Sequence, residues 1–165
     1  MRKNPESGRS LNITALVRAV EARSDEDAFP ARLSAADWQQ LATALERREL
    51  QPGELLLRRG DTDECAYLVE SGRLQVFVVG GPPRSHRIAT LHEGTLVGEP
   101  GLFAAAPRMA HVEAMTPCVV WALSARRLQE LAAAAPMLVL EVMRAAGALM
   151  AARMRANLER GIPVT

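Results

Sequence analysis

Residues 97–110 read VGEPGLFAAAPRMA, and this stretch stands apart because it interrupts a β-rich region with one short helix. Pro100 occupies a first-turn position, where its missing N–H needs no partner, and the nearby glycines allow a ligand to approach the backbone closely. The N–H groups near Gly101 and the helix dipole favour a phosphate. Arg108 can return from the far end of the loop to hold that phosphate with paired charge-assisted hydrogen bonds. Glu99 lies at the mouth of the same pocket and can accept a hydrogen bond from a sugar hydroxyl.

The surrounding region, from Glu49 to Ser124, consists of short runs of Leu, Val and Ile that are punctuated by glycine. This rhythm is typical of an antiparallel barrel or jelly roll, and the runs are too closely spaced for parallel βαβ crossovers. The predicted strands cover residues 55–58, 66–69, 74–79, 87–91, 110–115 and 119–123. The expected fold class is mainly β with flanking α, built on an antiparallel β-roll or jelly-roll barrel.

Helices are predicted on both sides of this β region. A short amphipathic helix is expected over residues 11–20, and a second helix begins after the N-cap Ser34 and ends near Arg47. Ser124 caps a third helix, which Pro136 interrupts, and a long helix follows from residue 137 to about residue 160. The chain therefore divides into an N-terminal tail and helix (1–32), the β-roll with its short helix (33–135) and a C-terminal helical segment (136–165).

Gly98-Glu99, followed nine residues later by Pro107-Arg108-Met109-Ala110, resembles the phosphate-binding cassette of cyclic-nucleotide-binding domains of the catabolite-activator and protein-kinase-A regulatory-subunit type. Further blocks stand in the order and approximate spacing of that family, so the resemblance covers residues 35 to 160. These blocks are Pro52-Gly53-Glu54, Arg59-Gly60-Asp61, Tyr67-Leu68-Val69-Glu70-Ser71-Gly72 and the run from Thr116-Pro117 to Leu123.

The resemblance implies a binding site for a cyclic nucleotide and no chemistry on it. Glu99 would hold the ribose 2′-hydroxyl, Arg108 would neutralise the cyclic phosphate, and the long C-terminal helix would cover the base. The expected site residues are Gly98, Glu99, Gly101, Arg108, Met109 and Ala110. Met109 stands where many relatives carry Ala, Ser or Thr, and a thioether cannot donate the hydroxyl contact that favours guanine, so cAMP is expected over cGMP. Pro100 is expected to leave the phosphate-facing amide of Gly101 free.

Two other interpretations of the same residues stay open. Arg108 can pair with Glu99 or Glu113 as a structural salt bridge, and Glu99 can simply stabilise a helix dipole. The run from Gly94 to Val120 is especially similar to the domains attached to bacterial sulfate-permease-type transporters. The alternative function is therefore an interaction module that regulates a membrane transporter or another partner without binding nucleotide.

Composition excludes several other classes of function. Twenty basic and nineteen acidic residues among 165 give a net charge of +1, which is not the footprint of a nucleic-acid binder, and no room is expected after Thr165 for a winged helix-turn-helix. Apolar runs are too short for a membrane-spanning helix. Cys65 and Cys118 are interpreted as reduced residues of a cytoplasmic protein, with a disulfide left open. Histidine spacing predicts no metal site, and no catalytic nucleophile or cofactor is expected.

The last helix carries two apolar rows, which exceed what a helix packed on one side needs. The rows are Val139, Met143, Ala146, Met150 and Met154, and Leu138, Val142, Ala145, Leu149 and Ala152. One row is expected on the barrel and the other, with Val142 and Leu149, in the seam of a homodimer. Arg153 and Asn157 are placed where a polar group reaches the base edge or the neighbouring chain.

Overall fold

A computed structural model of the chain describes residues 12–78 and 86–161, without the side chains of His86 and Arg87. The elements are α1 (Thr14–Ala22), α2 (Ala35–Ala42), β1 (Leu45–Leu50), β2 (Leu55–Leu57), β3 (Cys65–Ser71), β4 (Leu74–Val78), β5 (His86–Leu91), β6 (Leu96–Val97), a 3₁₀ helix (Glu99–Leu102), β7 (His111–Ala114), β8 (Cys118–Ser124), α3 (Ala125–Ala134) and α4 (Pro136–Glu159). The strands form two antiparallel sheets with the orders β1-β8-β3-β6 and β2-β7-β4-β5. The predicted antiparallel β-roll with flanking helices is confirmed.

The two central strands of the first sheet, β3 and β8, are buried on both faces, because their side chains alternate between two apolar cores. On β8, Val120 and Ala122 point into the interior of the roll, whereas Trp121 and Leu123 point to the side covered by helices. β3 alternates in the same way between these two cores. This double burial explains why β3 and β8 read as continuous apolar runs in the sequence.

Residues 45–50 correct one sequence-based expectation. The second helix ends at Ala42 rather than near Arg47, and Leu45–Leu50 forms β1, which pairs along its length with β8. Leu45 and Leu50 are buried, and the four charged residues between them are exposed. Charged side chains are a common protection for an edge strand, but in the sequence they are equally compatible with a polar helix face. β6, a two-residue strand, is a further element that the sequence pattern did not indicate.

The predicted helix caps are confirmed. Ser34 and Asp37 form a capping box, in which the Asp37 amide donates to Ser34 Oγ at 3.1 Å and the Ser34 amide donates to Asp37 Oδ2 at 2.9 Å. Ser124 caps α3 by accepting from the amide of Arg127 at 3.1 Å. These local signals were readable because a cap depends only on residues within one turn.

The buried face of α4 differs from the expected division into two rows. Val142 and Leu149, predicted in a dimer seam, are buried in this chain's own core, so that assignment is wrong. They belong to the same apolar core as Leu16 of α1. The exposed large apolar residues of α4 are Met137, Leu140, Met154 and Leu158.

Among residues 12–78 and 86–161, no helix combines the length and the apolar composition that a membrane span requires.

Candidate functional site

The short helix predicted within residues 97–110 is a 3₁₀ helix of four residues that follows directly on β6. Gly98 stands at its N-cap with a φ of 76°, in the left-handed region that a residue with a Cβ rarely adopts. Pro100 lies in the first turn, as expected. This geometry turns the chain sharply out of the sheet and places the Glu99 side chain beneath α4.

Arg108 is 7 % exposed and is held by the loop before β3. Its Nε and Nη2 atoms donate to the two carboxylate oxygens of Asp63 at 3.1 and 2.6 Å, and Nη2 also donates to the carbonyl oxygen of Cys65. Nη1 donates to the carbonyl oxygen of Gly98 at 2.9 Å. The structural salt bridge considered from the sequence therefore exists, but its partner is Asp63 and not Glu99 or Glu113. Four of the five guanidinium N–H groups are used, which leaves one on Nη1.

The two glycines of the cassette make room for this guanidinium group. A Cβ on Gly101 would lie 2.8 Å from Arg108 Nη2, and a Cβ on Gly98 would lie 3.1 Å from Nη1. The sequence analysis assigned these glycines to close approach of a ligand. In the structure the space beside both Cα atoms is filled by Arg108.

The backbone amides of the cassette differ in their availability. The Gly101 amide, expected to be free, donates to the carbonyl oxygen of Gly98 at 3.1 Å, because the 3₁₀ turn closes on itself. Among the residues that the structure describes, the amides of Met109 and Ala110 have no hydrogen-bond acceptor. The amides that remain available to an anion thus lie after Arg108 rather than at the helix start.

Glu99 is 5 % exposed, and its carboxylate is paired with Arg153 of α4 across 2.9 Å. The same guanidinium donates to the hydroxyl of the fully buried Thr95 at 2.8 Å and to the carbonyl oxygen of Leu96 at 2.9 Å. It also pairs with Asp27, in the connection between α1 and α2, at 3.1 Å. Arg153 therefore joins α4, the cassette and the N-terminal segment at one point.

A second contact joins the cassette to α4. The Phe103 ring reaches Gly147, whose absent Cβ would lie 3.8 Å from Cζ of the ring. Phe103 itself remains half exposed at the end of the 3₁₀ helix. A shift of the cassette therefore acts on α4 at two positions, an apolar contact near its middle and an ion pair towards its C-terminal end.

A cavity of about 340 Å³ lies between the roll, the cassette and α4. All six predicted site residues line it, together with the apolar side chains of Val76 and Ile88 on the roll. From α4 the cavity is lined by Ala152, Arg153, Ala156 and Asn157, and Arg160 lines it from the C-cap of that helix. Its size falls within the range of small-molecule sites, and its apolar wall with a few convergent polar groups is the usual composition of such sites.

The titratable groups near Arg108 are shifted by their surroundings. The hydrogen bonds from Arg108 lower the pKa of Asp63, which keeps that carboxylate charged. Burial raises the pKa of the Cys65 thiol, and the same cause raises the pKa of Cys118. Both cysteines are free, so the disulfide left open by the sequence is not formed. Within residues 12–78 and 86–161, no three or more His, Cys, Asp and Glu side chains group as metal ligands would.

Asp63, Thr95 and Asp27 belong to the site but were missed from the sequence. Asp63 follows Gly60 and Asp61 in a polar turn, where one more acidic residue carries no distinctive pattern. Asp27 is the last of three consecutive acidic residues, and Thr95 is a single polar residue between Gly94 and Leu96, so neither carries a distinctive pattern. Only the fold brings them to the two arginines.

Residues 47–135 match the family model of the cyclic nucleotide-binding domain. The chain is 33 % identical over 107 residues to an uncharacterized NTE family protein of Mycobacterium tuberculosis, a match that covers 65 % of this chain and 18 % of that protein. It is 37 % identical to the acetyltransferase Pat of Mycolicibacterium smegmatis, over 64 % of this chain and 31 % of that one. The chain thus spans less than a third of either relative.

Solved structures of the same fold agree with this match. A cyclic nucleotide-binding domain from Methylobacillus flagellatus has a TM-score of 0.78 at 22 % identity and covers 90 % of this chain and 81 % of its own. The catabolite activator protein of Thermus thermophilus has a TM-score of 0.67 at 28 % identity, over 78 % of this chain and 59 % of that one. This chain belongs to the cyclic nucleotide-binding domain family, whose members of the catabolite-activator and kinase-regulatory type are regulatory domains.

Proposed function

We propose that this chain is a non-catalytic sensor that binds a cyclic nucleotide, cAMP in preference to cGMP, and signals through α4. The observation that carries the proposal is the cavity in which Arg108 and Glu99 of the cassette meet the C-terminal half of α4. The cavity offers a phosphate the cation of Arg108 and the unused amides that follow it, and it offers a ribose the buried carboxylate of Glu99.

The phosphate would lie against the remaining N–H of Arg108 Nη1 and the amides of Met109 and Ala110. Asp63 holds the guanidinium in place, so the positive group is oriented before the ligand arrives. The ribose 2′-hydroxyl would donate a hydrogen bond to the Glu99 carboxylate. This bond and the one between Arg108 and the phosphate each involve a charged group, and such hydrogen bonds are stronger than neutral ones. Met109, half exposed at the cavity, offers no hydroxyl to guanine, which supports the preference for cAMP.

The signal would pass through Arg153. A 2′-hydroxyl at Glu99 shares the carboxylate with this guanidinium, and a bound base presses on the same face of α4. In this proposal α4 has one position without ligand and another with ligand bound. Binding shifts the equilibrium between them to the extent that the ligand has a higher affinity for the second position. A movement of Arg153 would also affect the N-terminal segment, because Arg153 forms its second ion pair with Asp27 of that segment.

The output surface is proposed to be a homodimer formed by a second copy of α4. One stripe along the helix has alternating spacings of three and four, as in a coiled-coil seam. Its members are Met137, Leu140, Arg144, Gly147, Ala151, Met154 and Leu158. Four of these are exposed large apolar residues, for which a second helix is the natural partner. Free thiols at Cys65 and Cys118 support a cytoplasmic setting.

Titration calorimetry of the nucleotide-stripped protein with cAMP and cGMP tests the site. We expect one cAMP per chain and weaker binding of cGMP. Replacing Arg108 by Ala should weaken cAMP binding by about 1.5 to 3 kcal/mol, the range for hydrogen bonds to charged groups. Arg108→Lys should rescue only part of this loss, because a point charge lacks the fork that engages Asp63 and the ligand together.

The matched control is Arg126→Ala, which removes an exposed arginine of α3. Because Arg108 also fastens Asp63, each variant is titrated below its own melting temperature. A folded Arg108→Ala protein that binds cAMP as the wild type does would refute the phosphate role. Bound cAMP should be recovered unaltered, and its conversion to 5′-AMP by this protein would contradict a non-catalytic sensor.

Light scattering tests the dimer separately. Replacing Leu140 and Leu158 by Glu places charge in the proposed seam and should give monomers, whereas Gln129→Glu on the exposed face of α3 should not. A wild-type protein that stays monomeric at high concentration, with and without cAMP, would rule the seam out.

The second candidate is an interaction module that regulates a membrane transporter or another partner without nucleotide. One observation favours it: both ligand-binding side chains already have protein partners, Arg108 with Asp63 and Glu99 with Arg153. The same calorimetry distinguishes the candidates, because a degenerate pocket releases no heat with either nucleotide.

A further inference from the structure

The cassette loop between the 3₁₀ helix and Arg108 exposes an apolar surface to solvent. Residues 103–107 read FAAAP, all five are exposed, and none carries a charge or a side-chain hydrogen-bonding group. The loop is held at both ends, because Leu102 before it and Arg108 after it are buried. Single exposed apolar residues are ordinary on a protein surface, whereas a contiguous exposed apolar patch marks an interaction site.

The residues of this loop face two different sides. Ala104, Ala106 and Pro107 line the cavity, whereas Phe103 and Ala105 are not part of its lining. The loop has its own local hydrogen bonds, from the Ala104 amide to the carbonyl oxygen of Pro100 at 3.2 Å and from the Ala106 amide to that of Ala104 at 3.0 Å. It is therefore a wall of a single chain segment, with the cavity on one side and an exposed apolar surface on the other.

Phe103 extends this surface onto α4. Its ring lies 3.8 Å from the position that a Cβ on Gly147 would take, so the ring is in contact with the space of the missing side chain. Gly147 is the central member of the α4 stripe proposed above as a dimer seam. Large apolar side chains occur only at the two ends of that stripe, and the three residues between them are Arg144, Gly147 and Ala151. Phe103 thus supplies the apolar side chain that the middle of the stripe lacks.

The α4 stripe alone is small for a stable dimer. Between Met137 and Leu158 the helix is about 30 Å long, so one face of it offers on the order of 400 Å². A standard specific interface buries about 800 Å² on each partner. The cassette loop lies beside the middle of the stripe and is the apolar surface that can supply the difference. The occupant that fits is a second copy, because alternating spacings of three and four are what two helices of the same sequence share in a coiled coil.

We propose that Phe103 and Ala105, the outward residues of the loop, contact α4 of a second copy, so that the cassette itself is part of the homodimer interface. This inference rests on the homodimer proposed above and extends it. A cyclic nucleotide in the cavity holds the inner side of the same loop, and an interface element that is already ordered binds its partner more tightly. The coupling is reciprocal, because the dimer must favour the ligand by the same factor by which the ligand favours the dimer.

Sedimentation velocity of the nucleotide-stripped protein, with and without saturating cAMP, tests this interface. We expect cAMP to tighten the wild-type dimer by about 5- to 150-fold, the usual range of coupling between two sites. Ala105→Glu places a carboxylate against the apolar helix of the partner and should weaken the dimer by about tenfold or more. Ala36→Glu, the same change at an exposed position of α2, is the matched control and should dimerise as the wild type does.

Calorimetry with cAMP separates the interface from the cavity. The measurement uses the double variant Leu140→Glu and Leu158→Glu, which is expected to be monomeric, with and without Ala105→Glu. Because Ala105 does not line the cavity, the added substitution should leave cAMP affinity within about twofold, as expected for independent sites. This comparison also shows that the Ala105→Glu protein is folded.

Several outcomes would overturn the inference. An Ala105→Glu protein that dimerises and responds to cAMP as the wild type does, while the helix double variant is monomeric, would exclude the cassette contact and leave the helix seam intact. A loss of cAMP affinity on adding Ala105→Glu to the monomeric background would show that the residue acts within the cavity. A wild type that binds cAMP but never dimerises would overturn the interface and leave the sensor intact, whereas a wild type that binds no cAMP would overturn the proposed function and the coupling with it.

Discussion

The two halves of α4 are fastened to the domain by different forces. From Leu138 to Leu149 the helix buries five apolar side chains in the core that it shares with α1 and β8. From Arg153 to Arg160 it lies over the cavity and is held by ion pairs with Glu99, Asp27 and Glu26. Moving the apolar half would expose buried side chains to water, whereas a ligand in the cavity can exchange with an ion pair that lines it. The half that covers the site is thus the half whose contacts a ligand can replace.

The largest effect is expected from the apolar half. Leu149 is 1 % exposed, and its replacement by Ala should lower the free energy of unfolding by about 2 to 5 kcal/mol, the usual cost of a core cavity. Arg155 is exposed on the same helix and is not among the residues of the proposed seam, so Arg155→Ala should change the free energy of unfolding by no more than about 0.5 kcal/mol. Urea unfolding of both variants measures the contrast. Similar losses at the two positions would mean that the halves do not differ.

An intermediate effect is expected at Arg153. Arg153→Ala leaves the buried Glu99 carboxylate and the Thr95 hydroxyl without their partner, which should cost about 1 to 3 kcal/mol. Hydrogen exchange should accelerate over residues 153–160 and stay slow over residues 138–149, since the apolar half keeps its packing. Arg155→Ala, at an exposed position of the same helix, is the control. Faster exchange along the whole of α4 would show that the helix opens as one unit.

The smallest effect is expected from the ion pair between Glu141 and Arg144 in the first half of α4. Hydrogen bonds from Arg144 and the amide of Arg32 lower the pKa of Glu141 from 4.5 to about 2. Because the folded-state pKa is depressed, this contribution to stability is present above pH 4.5 and is lost as the pH falls towards 2. The pair is partly exposed, so the contribution should be about 1 kcal/mol or less.

Unfolding of the wild type and Glu141→Gln at a series of pH values measures this contribution. The difference between the two proteins should be constant near neutrality and shrink between pH 4.5 and 2. Glu130→Gln, which removes the carboxylate of an exposed pair on α3, serves as the control. A difference that grows as the pH falls would contradict the sign of the linkage.

The sequence by itself determined the features that depend on neighbours along the chain. The caps at Ser34 and Ser124, the strands on either side of tight glycine turns and the cassette from Gly98 to Arg108 are all local, and the structure and the family match bear out the fold that they predict. The division into three segments at residues 32 and 135 stays a prediction, since α1 and α4 share one core with the roll.

Only the tertiary structure decided which groups meet at the site. Arg108 and Asp63 are 45 residues apart, and Arg153 and Glu99 are 54 residues apart. Arginine has no preference among carboxylates except distance and orientation, so no sequence pattern distinguishes Asp63 from the Glu113 considered at first. β1 likewise depends on a partner that is distant in the sequence. Leu45–Leu50 forms a strand because its backbone groups pair with those at the edge of β8. The residue types in the sequence identify which groups could take part in the site. The packing of the roll against its helices decides which of these groups become partners.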